Sequence, residues 1–505
     1  MKLRRYLTVT AAGIPAVLAT ASLAGTAAVS GPTLVPMAIQ APDTQAAPAG
    51  GGTPACTSPA PVHTYASYHC YTPSDIAAAY GISAVHSGDN LGQGQTIVLV
   101  DSYGSPTAAH DLKFFHDTFY SSLPNPNFNE VYPQGVPDYN NTNSNGLSGP
   151  SSAANWSGEA TLDIEWSYAI APEAHIVLLA VPPAETEGVQ GFPNLFKAIE
   201  WAIGNYPAGT IFSQSFGVTE QTFGGAAQTQ TAGFDKVYKD AAAKGDTVFA
   251  SSGDSGSTGV DKQHKDGRTY PFPTDGWPAS SPWVTAAGGT QLQYGWTWAP
   301  TAPGDLSWTP GGNSETVWNE PYLPAASGGG PSSIYGKQSW QSAQASVIGS
   351  SVRGEPDVAW NAAVNGGVLV YITAFPAYQR SGWHVYGGTS AASPQLAGVI
   401  ALADTALAAA KPGHHVGYLN PKLYAIGDAA GSSTSTFTGT GDFRDIVPQT
   451  YGVYTLRNNT LGANPDGSTP TGGVHGYPTL NGWDMTTGFG TPRVSQLIAD
   501  LVAAS

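Results

Sequence analysis

The chain has 505 residues, a formal net charge of −16 and only 19 lysine and arginine residues. This acidic balance argues against nucleic acid and anionic membranes as partners, because both are bound mainly through basic side chains. Charged residues make up only 11% of the chain, so acid would remove few ion pairs and little of the stability they provide.

The N-terminal residues predict an export signal. Lys2, Arg4 and Arg5 precede an apolar stretch rich in Ala, Leu and Val over residues 7–24, and small residues suited to cleavage follow, so we assign residues 1–28 to a signal peptide. Glycine and proline interrupt the apolar stretch, and it is short for a membrane span. We therefore expect a secreted, extracellular protein with no membrane attachment after signal cleavage.

The segment after the signal has a low-complexity composition. Residues 29–66 are rich in Ala, Pro, Gly and Thr with almost no charge, which predicts a disordered leader. Globular composition covers residues 67–505 and is assigned to a single domain. Cys56 and Cys70 are the only cysteines. A disulfide between them is expected in an exported protein, with two free thiols as the alternative.

From residue 96 onwards, strand-like apolar runs alternate with helical patterns. This order predicts an α/β fold with a mostly parallel central sheet and helices on both faces. In such sheets active sites lie at the carboxyl ends of the strands, and Asp101, Ser215 and Asp254 stand at or just past predicted strand ends. The strands are predicted over 96–100, 175–181, 210–216 and 246–251, and the helices over 108–120, 159–169, 194–203 and 234–244.

Residues 300–335 are rich in Gly, Pro and Trp. This composition predicts a long loop, and loops of that length in a compact domain are often functional. We interpret the segment as part of a substrate groove.

A candidate nucleophile lies in the sequence GGTSAASP, residues 387–394, before an apolar run that ends at Ala410. The two glycines permit a tight turn, Ser390 lies at that turn, and Pro394 is expected in the first helical turn. The positive end of the helix would stabilise negative charge that develops beside Ser390. A subtilisin-type nucleophile and a glycine-rich turn before a buried helix both produce this pattern.

The residues placed to activate Ser390 are carboxyls rather than a histidine. A subtilisin has a histidine at the start of its second helix, whereas this chain has Glu159 and Asp163, four residues apart and therefore on one helix face. Two neighbouring carboxyls repel unless they share a proton, which raises a pKa and suits acid conditions. A solvated acidic face is the alternative, but the flanking residues Leu162, Ile164 and Trp166 favour a buried helix.

A third carboxyl occurs in the sequence ASSGDSG, residues 250–256. Asp254 stands where a subtilisin has an asparagine that donates a hydrogen bond to the oxyanion. A carboxyl donates a hydrogen bond only when it is protonated. Asp254 and the Glu–Asp pair therefore indicate the same working condition, low pH.

In this order and spacing the motifs resemble those of the sedolisin family, the serine-carboxyl peptidases, from about Tyr71 to the C terminus. The sequences ETVWN at 315–319 and RGEPDVA at 353–359 agree further. The resemblance implies a subtilisin-like fold and a serine-type endopeptidase that cleaves protein or peptide substrates at acidic pH.

The resemblance also implies a role for each candidate residue. Ser390 would attack the scissile carbonyl and form an acyl-enzyme, and Glu159 would take and return its proton. Asp163 would orient Glu159, and Asp254 would bind the oxyanion together with the backbone N–H of Ser390.

The chain departs from the family pattern near the catalytic residues and at the N-terminus. Some relatives have a Glu after the first strand and a Trp in the Ser-x-Ser-Trp-Gly strand, where this chain has Asp101 and Phe216. We also expect this chain to lack the large prodomain that members of the family usually carry. We expect a monomer, and the alternative function is an inactive, secreted binding protein of the same fold.

The C-terminal region resembles the calcium site of the family. The matching sequences are FRDI at 443–446 and GWD at 482–484. The resemblance implies one Ca²⁺ ion, for which irregular loops supply hard oxygen ligands. Its ligands would be the carboxylates of Asp445 and Asp484 and the carbonyls of Ile446, Leu480 and Gly482. Relatives usually have glycine in place of Leu480, which raises the question of a positive φ at this position.

A competing interpretation uses His110 as the base and Ser255 as the nucleophile, because the surrounding sequences mimic chymotrypsin-type motifs. It predicts an all-β double barrel with several disulfides. The helical pattern around His110 and the unexplained turn at Ser390 both disfavour it.

Overall fold

The computed structural model describes residues 35–41, 64–65, 68–140, 150–182, 191–261, 268–349, 351–429, 431 and 433–505. The predicted signal peptide, residues 1–28, lies outside these residues. Cys56 also lies outside them, so its disulfide with Cys70 stays a prediction.

The described residues form helices and strands that alternate over much of the first half of the chain. The helices are α1 Pro73–Ala79, α2 Ile82–Ser87, α3 Ala108–Phe119, α4 Pro150–Ile170, α5 Phe192–Asn205, α6 Ala227–Lys244, α7 Ala345–Ile348, α8 Thr389–Ala410, α9 Asn420–Gly427 and α10 Val494–Ala504, with 3₁₀ turns at Glu220–Ala226 and Ser339–Gln341. The strands are β1 Val35–Pro36, β2 Ile39–Gln40, β3 Thr64–Tyr65, β4 Tyr68–Tyr71, β5 Thr96–Ser102, β6 Asn127–Val131, β7 His175–Val181, β8 Ile211–Gln214, β9 Phe216–Thr219, β10 Thr247–Ser251, β11 Gly276–Trp277, β12 Thr285–Trp298, β13 Trp308–Val317, β14 Asn319–Glu320, β15 Ala325–Ala326, β16 Gly330–Gly336, β17 Val352–Glu355, β18 Val358–Asn361, β19 Gly367–Ile372, β20 Gly382–Gly387, β21 Ser433–Thr434, β22 Phe443–Arg444, β23 Gln449–Tyr451, β24 Tyr454–Leu456 and β25 Thr491–Pro492.

An eight-stranded sheet forms the centre of the fold. Its strands follow the order β13-β12-β10-β8-β5-β7-β6, and β18 pairs with β12. The pairs among β10, β8, β5, β7 and β6 are parallel, and so are those of β12 with β10 and β18, whereas β13 runs antiparallel at one edge. The predicted mostly parallel sheet is confirmed. Its parallel strands bring the residues that follow β5, β8 and β10 to one edge.

Helices cover both faces of this sheet, as predicted. Along β5, Ile97 and Leu99 pack into the cluster that contains α4 and α8, whereas Val98 and Val100 pack into the cluster of α5 and α6. Successive side chains of a strand point to opposite faces, so this division shows one apolar core on each side. Continuous apolar strands are typical of sheets buried in this way.

Helix α8 lies at the centre of the larger core. It contacts β8, β10 and β12 of the sheet and packs along α4. Within the described ranges α8 alone has the length and apolar composition needed to cross a membrane, and most of it is buried within the fold. Its many alanines allow close packing between α8 and α4, which contain Ser390 and the Glu159–Asp163 pair respectively.

The predicted loop over residues 300–335 is wrong. This segment contains β13, β14, β15 and the start of β16. Its Pro310, Gly311 and Gly312 suggested a loop, but they lie in β13 at the sheet edge. Among the described strands, β13 pairs only with β12. Proline and glycine are tolerated in an edge strand because one row of its backbone groups has no partner strand.

The predicted disorder of the leader is also wrong for residues 35–41. Strand β1 pairs antiparallel with β9, and β2 pairs antiparallel with β20. Strands β9 and β20 both border the edge of the sheet where Ser215 and Ser390 lie. The leader therefore crosses the candidate site.

Candidate active site

Ser390 is the second residue of α8, which begins at Thr389. The preceding Gly388 has φ +97°, and a Cβ there would collide with the carbonyl oxygen of Met37 and lie 2.7 Å from Asp254 Oδ2. A residue with a side chain would block this approach, which explains the glycine. The backbone N–H of Ser390 has no partner within the helix, as is usual at a helix N-terminus, and it donates to Met37 O at 3.4 Å.

Pro394 lies in the second turn of α8 rather than in the first, because the helix begins at Thr389. Because proline has no backbone N–H, the helical hydrogen bond from residue 394 to the carbonyl of Ser390 cannot form. The predicted placement of Pro394 is wrong by one turn.

Glu159 and Asp163 lie on one face of α4 and have no exposed surface. Glu159 Oε2 accepts a hydrogen bond from the N–H of Ala38 at 2.8 Å, and Asp163 Oδ1 accepts one from the Ser215 hydroxyl at 2.9 Å. Burial raises the pKa of Glu159 well above its usual range, and the charge of Asp101 raises it further. Glu159 Oε1 has no hydrogen-bond partner among the described residues. Burial likewise raises the pKa of Asp163, and the charges of Asp101 and Glu159 raise it further.

Asp101 adds a third carboxyl to this cluster. It lies near the end of β5, is fully buried, and neither of its oxygens has a hydrogen-bond partner within the described residues. Burial raises its pKa to about 8. Its charge also raises the pKa of Glu159 and of Asp163. The three groups cannot all ionise together in this environment, so they titrate as a unit and retain protons in mild acid.

Asp254 lies beyond the end of β10, and its two oxygens have different surroundings. Oδ1 accepts hydrogen bonds from the backbone N–H and the hydroxyl of Thr389 at 2.8 and 2.7 Å. Oδ2 is shielded from solvent and has no partner in the described part of the chain. Burial raises the pKa of Asp254 to about 7, although the two bonds from Thr389 lower it. Because Oδ1 already accepts, a proton on this carboxyl resides on Oδ2 and can be donated beside Gly388.

The Ser215 region links α4 to α8. Ser215 lies between β8 and β9. Its hydroxyl donates a hydrogen bond to Asp163. Its carbonyl accepts one from the Ser390 hydroxyl at 3.5 Å, the outer limit of a hydrogen bond. Phe216, where some relatives have Trp, is buried in the core of α5 and α6. A phenyl ring has no N–H, so Phe216 cannot extend the hydrogen-bond network as an indole would.

The structure thus brings together the four predicted residues Ser390, Glu159, Asp163 and Asp254, with Asp101 behind the acidic pair. The prediction missed Met37 and Ala38, whose backbone groups form hydrogen bonds with Ser390 and Glu159 respectively. The leader composition gave no signal for this, because β-pairing through the main chain hardly depends on side-chain identity.

The alternative pair His110 and Ser255 does not form a site. The His110 side chain is 65% exposed on α3 and bonds to the adjacent Asp111. Ser255 lies in the loop after β10, where its backbone bridges to Ala326. The α/β sheet also excludes the double barrel that this interpretation requires.

The predicted calcium ligands lie in two C-terminal segments, around residue 445 and at 480–484, which a hydrogen bond connects. The N–H of Leu480 donates to Asp484 Oδ2, and the N–H of Gly482 donates to Asp445 Oδ2, both at 2.9 Å. Within the described ranges, no hydrogen bond reaches the carbonyls of Ile446, Leu480 or Gly482. No cluster of three acidic, histidine or cysteine side chains exists there. Two carboxylates and three free carbonyls are hard oxygen donors, and this donor set fits calcium.

The glycine-to-leucine difference at 480 does not strain the loop at 480–484. Leu480 is not among the described residues with positive φ, whereas Gly482 has φ +80°. The Leu480 side chain is 38% exposed. Its carbonyl is thus compatible with either residue type.

Known proteins with a similar sequence or fold belong to one family of peptidases. The model of the subtilase family matches residues 115–422, more than half of the chain. The chain belongs to the subtilase family. Within it, kumamolisin of Bacillus sp. (strain MN-32) is 30% identical over 441 residues, which cover 86% of this chain and 64% of kumamolisin. Sedolisin of Pseudomonas sp. (strain 101) is 30% identical over 270 residues, 52% of this subtilase and 36% of sedolisin.

The solved structure of Pseudomonas sedolisin, complexed with two molecules of pseudo-iodotyrostatin, has the same fold. Its TM-score is 0.61 at 24% identity, with 86% of this subtilase and 99% of that chain covered. The predicted subtilisin-like fold and membership of the sedolisin family are confirmed. The predicted enzyme class, a serine-type peptidase, is confirmed at the level of the family. This subtilase spans less than two thirds of the length of the curated relatives it matches.

Proposed function

We propose that this subtilase is a secreted, serine-type endopeptidase that cleaves proteins or peptides in acid through a Ser390 acyl-enzyme. The observation that supports it most is the shared environment of Ser390, Glu159 and Asp254, in which no histidine of the described residues takes part. Ser390 stands at a helix N-terminus, and its side chain lowers the pKa of the neighbouring Glu159. Glu159 Oε1 and Asp254 Oδ2 are buried oxygens without a hydrogen-bond partner among the described residues.

The proposed proton path runs between Ser390 and Glu159. Ser390 Oγ attacks the substrate carbonyl while its proton moves to Glu159, which then donates it to the leaving amine. Asp163, fixed by Ser215, orients Glu159 and shares the negative charge of the cluster. The Ser390 N–H and the protonated Oδ2 of Asp254 stabilise the oxyanion. Water then hydrolyses the acyl-enzyme.

The test is hydrolysis of a denatured protein between about pH 3 and 7, the range in which carboxyls titrate. We expect peptide products, with the highest rate on the acid side of pH 6. A maximum at neutral pH would contradict the carboxyl mechanism. A properly folded protein without hydrolysis anywhere in this range would instead support an inactive binding protein.

We also propose one structural Ca²⁺ ion between the two C-terminal segments, bound by Asp445, Asp484 and the carbonyls of Ile446, Leu480 and Gly482. The support is the set of five oxygens described above. The ion would join the segment around residue 445 to the segment 480–484 and so stabilise the fold.

Removal of calcium is expected to lower the unfolding temperature. At a free calcium concentration about 100-fold above Kd, the bound ion would contribute about 3 kcal/mol to the free energy of unfolding. The measurement is thermal unfolding at pH 7 with calcium or with chelator, for wild type and Asp445→Ala. Asp466→Ala is the control, because Asp466 is an exposed aspartate of the same region. Calcium should stabilise wild type and Asp466→Ala only. Equal curves with and without calcium would contradict the site.

A further inference from the structure

The side chain of Met37 marks where the residue before a cleaved bond would lie. The Met37 carbonyl oxygen accepts the N–H of Ser390 at 3.4 Å and abuts Gly388 beside Asp254 Oδ2. These are the proposed oxyanion donors, so the carbonyl of a bound substrate would lie at the same place. The side chain that precedes the cleaved bond would then take the place of the Met37 side chain.

Two glycines leave space for this side chain on one face of strands β9 and β11. A Cβ added to Gly217 would collide with the terminal methyl group of Met37. Strands β9 and β11 pair antiparallel, with Gly276 opposite Thr219. Because Gly217 is two residues before Thr219, Gly217 and Gly276 lie on the same face as diagonal neighbours, about 7–8 Å apart. A side chain longer than that of Met37 would therefore extend from Gly217 towards Gly276.

Two buried carboxyls lie at the Gly276 end of this face. Glu355 Oε1 is 3.9 Å from the Cβ position of Gly276, and Asp275 is the residue before Gly276. Glu355 has no exposed surface and Asp275 is 3% exposed. None of their four carboxyl oxygens has a hydrogen-bond partner in the described part of the chain. Buried carboxyls are normally satisfied by hydrogen bonds, so this pair can accept bonds from a ligand.

The charged residues around this pair do not neutralise it. Arg353 lowers the pKa of both carboxyls, but its guanidinium already donates to Asp357 Oδ2 at 2.6 Å. Glu220 adds a further carboxyl, which accepts hydrogen bonds from Ser332 and Ser333. The titratable and charged groups that face the pair are Glu220, Arg353, Asp357 and Tyr477. One cation among these groups is too few for the carboxyls present.

The pair therefore retains protons when no cation is bound. Burial raises the pKa of Glu355 to about 8, although Arg353 lowers it. Burial also raises the pKa of Asp275 well above its usual range, and the charge of Glu355 raises it further. Two ionised carboxylates without a partner are costly in a buried site, whereas a bound cation would compensate their charge.

We propose that Glu355 and Asp275 form the base of the pocket for the residue before the cleaved bond, and that this pocket selects lysine or arginine. This inference rests on the proposed peptidase function and adds its side-chain preference. The apolar stem of the substrate side chain would lie along Gly217 and Gly276, and its cationic end would bind the two carboxylates. Lysine and arginine are longer than Met37 and therefore reach further along this face.

The preference for a cationic side chain should increase between about pH 4 and pH 7. Because the pKa of Glu355 is about 8, the empty pocket keeps its protons in this range, and a bound cation must release one. The release becomes easier by up to about tenfold for each pH unit towards that pKa. A neutral side chain releases no proton, so cleavage after it should not follow this trend.

The test compares two peptides that differ only at the residue before the cleaved bond, lysine in one and norleucine in the other. Norleucine has the stem of lysine without the amino group. At about pH 6 we expect kcat/KM to be about tenfold or more higher for the lysine peptide, with a smaller ratio at about pH 4. Peptides from a denatured protein at about pH 6 should end in lysine or arginine, as read by mass spectrometry. A ratio near one at both pH values, or products that end mainly in neutral residues, would overturn the inference.

Glu355→Gln tests the carboxyl itself. It should lower kcat/KM for the lysine peptide by roughly 30-fold, the cost of removing one partner of a buried charge pair. The norleucine peptide should be cleaved within about threefold of the wild-type rate, which also shows that the variant is folded. Glu165→Gln is the matched control, because Glu165 is a buried glutamate on α4 that accepts the N–H of Tyr371. It should keep the wild-type ratio. Equal losses on both peptides in Glu355→Gln would contradict the pocket.

The failure of this inference differs from the failure of the proposed function. If both peptides and denatured protein are cleaved without preference for lysine or arginine, the pocket is wrong and the peptidase stands. If the folded protein cleaves none of them between about pH 3 and 7, both proposals fail.

Discussion

Replacing Ser390 with alanine is expected to reduce kcat on a denatured protein by about 10,000-fold or more, as loss of a nucleophile does in other serine peptidases. Glu159→Gln should cause a loss of similar order, because Gln cannot accept the proton of Ser390. Loss of either residue stops the same step, so the double variant should be little worse than either single variant.

Two control variants separate chemistry from folding. Ser393→Ala changes a buried serine one turn further along α8, which bonds to Ser213 at 2.8 Å. Glu165→Gln changes a buried glutamate on α4 that accepts the N–H of Tyr371 at 2.9 Å. Both should cost stability but leave kcat within about tenfold of wild type. Equal losses in Ser390→Ala and Ser393→Ala would contradict the assignment of the nucleophile.

Asp254→Ala is expected to lower kcat by about 100- to 1,000-fold, the usual cost of one oxyanion donor. Asp254→Asn should behave differently. Its Oδ1 can accept from Thr389 as the carboxyl does, and its amide can donate from the position of Oδ2 at every pH. At pH 4 we expect Asp254→Asn to remain close to wild type.

The pKa of Asp254 determines in which direction kcat should change with pH. The pKa of Asp254 is raised to about 7, so its proton is present below pH 7 and is lost as the pH rises through that value. Wild-type kcat should fall accordingly, by about tenfold at one pH unit above the pKa. The kcat of Asp254→Asn should not decrease in this way, and at pH 8 it should be higher than that of wild type. A wild-type profile and an Asn profile that decline in parallel would contradict the role of Asp254.

Asp246→Asn is the matched control. Burial raises the pKa of Asp246 to about 7 as well, but it precedes β10, whereas Asp254 follows that strand. The two aspartates thus lie towards opposite ends of one strand. Asp246→Asn should leave the pH profile of kcat unchanged, although it affects the bond from the Thr210 N–H.

The sheet could be predicted from the sequence because its strands are continuous apolar runs with turn residues between them. The strand at His175–Val181 was predicted without error, and the helix at Ala108–Phe119 to within one residue. The placement of Asp101, Ser215 and Asp254 at one edge of the sheet also followed from the sequence, since parallel strands end at one edge. Edge strand β13 could not be predicted, because its Pro310 and two glycines are signals for a loop.

The four candidate residues could be found because each has a motif with its own physical requirement. Gly388 permits the close approach beside Ser390, and the spacing of Glu159 and Asp163 places them on one helix face. The position of the leader could not be found in this way. Residues 35–41 bind through backbone groups of β9 and β20, and Ala- and Pro-rich composition alone indicates only disorder.

The central claim, that carboxyls rather than a histidine activate Ser390, is tested most directly by the pH dependence of acylation. The measurement uses a peptide ester, acid quenching and peptide mapping by mass spectrometry to locate the acyl group between pH 3 and 8. We predict an acyl group on Ser390 that forms faster at pH 4 than at pH 8. An acylation rate that rises through pH 7, as expected for a histidine base, or an acyl group on Ser255, would contradict the claim.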